Sequence, residues 1–151
     1  MKIDNINKKI IYLLQKDARM TYKDIAFELK RSETTIRDRI RAMERVGIIQ
    51  GYTALIDKTA LGLNFFAMIF LNPINSSEID MITEKIKKVK NVMRVYHISG
   101  SHRIAIFMVA PSYKELKEII RMQIIPIGLK DEEIITVLEA DREFIYPLEI
   151  P

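Results

Sequence analysis

The repeat of the apolar residues changes once along this chain, near residue 63, and that change limits what it can fold into. Up to about residue 46 the apolar positions return at three- and four-residue intervals, the period of helices with one buried face. Beyond residue 63, short runs with apolar residues at both alternating sets of positions are separated by helical stretches, the pattern of strands and helices in one layered domain. The expected fold class is therefore α+β, with an all-helical head followed by a mixed tail. The expected division is a head over 1–50, an extended connector over 51–62 and a tail domain over 63–151.

Within the head, Ile3, Ile6, Ile10, Leu13 and Leu14 mark a first helix starting near Asp4. Thr21-Tyr22-Lys23-Asp24 has the form of a capping box and opens a second short helix carrying Ile25, Ala26 and Leu29. Only Lys30 and Arg31 separate it from Ser32, a good N-cap for a third helix. Three short helices with a tight turn between the second and third make a helix-turn-helix unit, winged or plain.

The third helix is apolar on one side and cationic on the other. At about 100° per residue, Ile36, Ile40 and Met43 form one stripe, while Thr34, Asp38, Arg41 and Arg45 point the opposite way with Arg37 on the flank. Short polar groups lead and arginines follow, as in a helix whose first turn reaches base edges in the major groove while later cations meet phosphates. Thr34, Thr35, Arg37 and Asp38 are expected at base edges, with Asp38 able to accept from cytosine. Tyr22, Lys23, Arg31, Arg41 and Arg45 are expected on the backbone, and Ser32 belongs to the same surface. Arginine-rich helix faces also serve solubility alone, and the charge distribution decides between the two readings. Residues 1–50 hold 12 Lys and Arg against 7 Asp and Glu, whereas residues 51–151 hold 12 against 13. The whole excess behind the net charge of +4 lies in the head, as a polyanion partner requires.

After the third helix, Gly47 is a suitable left-handed cap, and 48–56 reads as an extended segment. Strands are expected over 63–71, 92–98, 104–109 and 133–139. Helices are expected from Ser77, capped with Asp80, and from Ser112, capped with Glu115. The order βαββαβ is ferredoxin-like: an antiparallel sheet with both helices on one face. Because 63–71 and 104–109 are apolar on both faces, the uncovered face predicts a homodimer formed through the sheet.

With no cysteine there is no disulfide and no thiolate metal site, and His97 and His102 lack the clustered carboxylates of a metal centre. No Ser/His/Asp order, Gly-rich phosphate loop or nucleotide fingerprint occurs, so neither a catalytic residue nor a cofactor is expected. No run approaches the roughly 18 apolar residues of a membrane span, and the start lacks a secretory pattern, so a cytoplasmic protein with no membrane partner is expected.

Residues 17–26, the helix 32–46 and Gly47-Ile48-Ile49-Gln50-Gly51-Tyr52-Thr53-Ala54 resemble the Lrp/AsnC feast/famine transcription regulators, and Leu61-Gly62 and 92–100 continue the likeness. The resemblance covers nearly the whole chain. It implies a prokaryotic regulator that binds double-stranded DNA, is dimeric or built of dimers as a tetramer or octamer, and has a tail that often binds an amino acid between dimers. Two departures bear on mechanism. Where the family turn usually carries Gly then Leu, this chain has Lys30 and Arg31, which either touch phosphates or are simply solvated. The family's effector loop runs Gly, two variable residues and an acid, but here it is Gly100-Ser101-His102-Arg103, and the opposing stretch after Gly128 carries Asp131 and Glu132 in place of Ser and Thr. Charge has been exchanged between the two segments, so Arg103 either pairs with Asp131 or Glu132 across a dimer contact or recognises an anionic metabolite. These six residues, Gly100 to Arg103 with Asp131 and Glu132, are the expected effector site. Two rival functions are an enzyme like the sirohaem decarboxylases, which typically carry a Trp that this chain lacks, and a metabolite sensor whose head binds protein.

Overall fold

The computed structural model describes residues 3–139 and divides into two compact units, one helical up to Leu55 and one mixed from Ile56. In the helical unit, α1 (Asn5–Lys16), α2 (Tyr22–Leu29) and α3 (Glu33–Arg45) pack around Ile10, Ile25, Ala26, Ile36, Ile40 and Met43, all buried. Asp4 caps α1 by accepting from the Asn7 backbone N–H, as its position before the apolar repeat requires. After α3, Gly47 takes φ +73°, letting the Ile48 N–H reach Met43 O at 2.9 Å and the Gly47 N–H reach Glu44 O at 3.0 Å. This left-handed closure satisfies the last carbonyls of the helix. No strand follows among the described residues of this unit, and the expected extended segment 48–56 forms no regular element.

The second unit holds β1 (Phe65–Pro73), α4 (Ile79–Ile86), β2 (Val92–His97), β3 (Ile104–Ala110), α5 (Tyr113–Ile119) and β4 (Leu129–Thr136). The sheet order is β2-β3-β1-β4, with antiparallel pairing throughout, and the two longest apolar segments lie at its centre. Ala67, Ile69 and Leu71 of β1 and Ile104, Ile106 and Met108 of β3 face the helices, and bury against Ile82, Ile86, Leu116 and Ile120. The expected ferredoxin-like arrangement is the one found.

Three elements of this unit begin at other residues than the sequence predicts. The Ser77–Asp80 cap does not form: the Asn75 side chain accepts from the Ser77 N–H, a 3-10 turn occupies Ser76–Glu78, and α4 starts at Ile79. Asn competes well with Ser for such a turn because its short carbonyl reaches the backbone two residues on. Strand β1 is displaced two residues towards the C-terminus. Strand β4 begins at Leu129 rather than Glu133, because it is an edge strand whose outer positions accept Asp131, Glu132 and Glu133 in solvent.

Candidate functional site

The α2–turn–α3 unit is held by three local closures. The Thr21 hydroxyl accepts from the Asp24 N–H at 3.2 Å while the Asp24 carboxylate accepts from the Thr21 N–H at 3.1 Å and from its hydroxyl at 2.6 Å. These bonds from Thr21 hold the Asp24 carboxyl below its ordinary value. At the other end of α2, Lys30 adopts φ 51°, the left-handed conformation that glycine usually supplies, so that Arg31 N–H reaches Ala26 O at 3.0 Å and Lys30 N–H reaches Phe27 O at 3.3 Å. Ser32 then caps α3, its hydroxyl accepting from the Thr35 N–H at 3.2 Å and lying 2.7 Å from the Thr35 hydroxyl.

The expected DNA-facing residues fall into three groups. Thr34, Asp38, Arg41 and Arg45 are exposed on the side of α3 opposite buried Ile36, Ile40 and Met43, with Arg37 half-buried beside them. Ser32 and Thr35 sit at the helix start and bond to each other, and Arg31 turns its Nη1 onto Lys30 O at 3.0 Å. Lys23 is exposed on α2, whereas Tyr22 is half-buried against the head core. Arg39, which the sequence pattern does not separate from its neighbours, turns inward to Asp4 and Asn7.

The expected effector residues meet at one end of the sheet. Gly100, at φ +121°, shapes the turn between β2 and β3, and Arg103 joins it to the sheet through its N–H to Leu71 O at 3.1 Å. The Asn72 side chain donates to Ser101 O at 3.0 Å and to Asp131 Oδ2 at 3.4 Å, bridging this turn to β4. His102 Nδ1 lies 3.8 Å from Glu133 Oε2 and 3.2 Å from the Ser101 hydroxyl, and its ring lies 6.0 Å from that of Phe70. The two segments therefore do meet within one chain, but through His102 and Glu133. Among the described residues Arg103 makes no ion pair with Asp131 or Glu132, and both Arg103 and Glu132 are exposed. Asp131 is unusual in its own right: it takes φ +56° where β4 bulges against β1 between Phe70 and Asn72. Asn72, Glu133 and Phe70 were not expected here. A polar Asn ending an otherwise apolar strand was the one sequence signal that could have found them. Among the described residues no group of three or more His, Asp or Glu is placed to hold a metal.

Comparison with known proteins agrees with both units. Residues 3–44 match the AsnC-type helix-turn-helix domain, and residues 64–141 match the Lrp/AsnC ligand binding domain. The chain is 34% identical over 124 residues to the HTH-type transcriptional regulator LrpA of Pyrococcus horikoshii, covering 81% of this chain and 86% of the relative. It is 27% identical over 141 residues to the regulator FL11 of Pyrococcus furiosus, 93% of each chain. Escherichia coli AsnC has the same fold, with a TM-score of 0.88 at 23% identity, covering 98% of this chain and 100% of that one. A Neisseria meningitidis transcriptional regulator solved in complex with L-methionine gives 0.87 at 17% identity, covering 99% and 97%.

Proposed function

The chain belongs to the Lrp/AsnC family of helix-turn-helix transcriptional regulators, and on that premise we propose how it works: its head, 1–50, reads double-stranded DNA through α3, its connector spans 51–62, and its tail, 63–151, joins copies and takes a small-molecule effector. The observation that carries the DNA reading is the exposed face of α3, where Thr34 and Asp38 precede Arg41 and Arg45 on a helix whose opposite stripe is fully buried. Thr34, Arg37 and Asp38 approach bases, and Lys23, Arg31, Arg41 and Arg45 meet phosphates. Ser32 and Thr35 serve the interface first by capping α3, and Tyr22 by seating α2.

The open face of the sheet supports a homodimer. Phe66, Met68, Phe70, Tyr96, Phe107 and Ile135 lie on the side away from the helices, and Tyr96 and Ile135 are 46% and 40% exposed. A second copy related by a two-fold axis would bury this face and present two α3 helices to DNA. The effector site is the cluster Gly100 to Arg103 with Asp131 and Glu132, to which Asn72 and Glu133 are added. The Lrp/AsnC ligand binding domain match, and the methionine held by one structural relative, support a small-molecule site in this unit. The protein acts in the cytoplasm, in keeping with the lack of any helix, among the described residues, long and apolar enough to cross a membrane.

Anisotropy titrations with labelled duplexes at several salt concentrations test the DNA reading. The log of affinity should fall linearly with the log of salt, and Lys23→Ala should flatten that slope by about 1 on all duplexes. Arg37→Ala should erode preference for a selected sequence over random DNA. Equal loss on both duplexes from both substitutions would contradict the division between base and phosphate contacts.

A further inference from the structure

A cleft of about 730 Å3 opens between α5 and β4 on the second unit, and both of its walls depart from regular geometry. On one side α5 passes into a π-helical turn over Ile120–Ile124, and on the other β4 bulges at Asp131 with a left-handed backbone. Such irregularities are disfavoured locally and concentrate at functional sites. Lys114, Lys117 and Arg121 recur at three- and four-residue intervals and so share one face of the first wall, with Lys130 on the second and Ile125 and Leu129 between them.

Four cations line the cleft against three carboxylates, Glu118, Asp131 and Glu132, and the cations are not held in ion pairs among the described residues. Asp131 is in addition drawn towards the Asn72 amide. Four cations held on two backbones, without partners, around a small apolar floor are arranged to converge on negative charge between them.

From this convergence we infer that the α5–β4 cleft binds a compact metabolite anion carrying two or more negative charges, phosphate or carboxylate, with Lys117 and Arg121 on one wall and Lys130 on the other as its anchors. The inference rests on the reading of this unit as the effector domain, and adds a ligand class and a place distinct from the turn at Gly100. An anion bridging α5 to β4 would tie the edge strand to the helix layer and fix the Asp131 bulge that borders the turn.

The test is thermal unfolding of the full chain against citrate and pyrophosphate at constant ionic strength, with citrate and pyrophosphate separating carboxylate from phosphate preference. The midpoint should rise saturably. The apparent dissociation constant should increase about tenfold or more in Lys117→Ala/Arg121→Ala, and again in Lys130→Ala, while Lys88→Ala in the turn after α4 leaves it unchanged. All of these side chains are exposed, so the truncations spare the core. An unresponsive midpoint overturns the inference, and so does an equal response in wild type and both cleft variants, which would place the anions on the basic head. Duplex binding measured on the same samples separates the two proposals: intact DNA binding without anion binding sinks the cleft alone, and the converse sinks the head reading alone.

Discussion

Arg39 on α3 donates to Asp4 Oδ2 at 2.7 Å across 35 residues of sequence, and from the same nitrogen to Asn7 Oδ1 at 2.9 Å. The pair joins the third helix to the cap of the first, and Asn7 is buried there as one of the few polar groups of the core. Of the arginines on α3, this one serves the fold.

Arg39→Ala should therefore lower the stability of the protein yet leave the salt slope of DNA binding unchanged, whereas Arg41→Ala should flatten the slope. The effects of Arg39→Ala and Asp4→Asn on urea unfolding should be less than additive. The Asp4 carboxyl is held below its ordinary 3.8, first by the Asn7 N–H and then by Arg39. A lowered folded value means stability that is present above the unfolded value and lost as pH falls through the folded one. The gap between wild type and Asp4→Asn should accordingly be full at neutral pH and close below about pH 4, followed by circular dichroism. A gap that persists in acid would show that the carboxylate's charge is not what stabilises the cap.

Lys30→Gly should stabilise the head by up to about 1 kcal/mol, since φ 51° strains any residue with a Cβ and glycine adopts it freely. Urea unfolding at neutral pH reads this directly. A loss of stability instead would assign the Lys30 side chain a supporting contact that outweighs the backbone strain.

Tyr52 follows α3 and donates its hydroxyl to Glu44 Oε1 at 2.9 Å. Burial first, and the neighbouring carboxylate second, push its pKa up from 10.0 to about 12. The neutral phenol is the form the fold favours, so its contribution is complete below the unfolded value and disappears as pH rises through the folded one. Ultraviolet titration should find Tyr52 ionising near 12, and Glu44→Gln should bring it down towards 10.0. A titration unchanged by Glu44→Gln would mean that burial alone sets the shift.

If copies associate through the open face of the sheet as proposed, Phe107→Glu should dissociate them. The Phe107 ring is half-buried on the open face, 6.0 Å from Phe66 and 5.6 Å from Tyr96, so a carboxylate there is tolerable at the surface of one chain but not between two apolar sheets. Light scattering at micromolar concentration should give a halved mass with an unchanged circular dichroism spectrum. An unaltered mass would mean that copies meet elsewhere.

Much of this fold is legible because its information is local. The capping box at Thr21 and Asp24, the Ser32 cap, the buried stripe of α3 and the Gly47 closure each depend on residues within one or two helical turns, and all are found. The βαββαβ order follows from apolar periodicity in the same way. The errors arise where two local signals compete, as at Asn75 and Ser77, or where charge imitates a loop, as at the start of β4. An edge strand carries charge at little cost, so polarity misreads it.

The sequence by itself determined which segments are helices and which are strands, and that the positive charge collects in the head. These are consequences of side-chain spacing and backbone preference over a few residues. Only the tertiary structure decided that Arg39 turns inward while Arg41 and Arg45 stay outside, that Asn72 bridges the Gly100 turn to Asp131, and that His102 rather than Arg103 meets an acid within the chain. Those contacts join residues tens of positions apart, and their partners are chosen by the register of β1 against β3 and β4 and by the packing of α1 on α3, which no local pattern encodes.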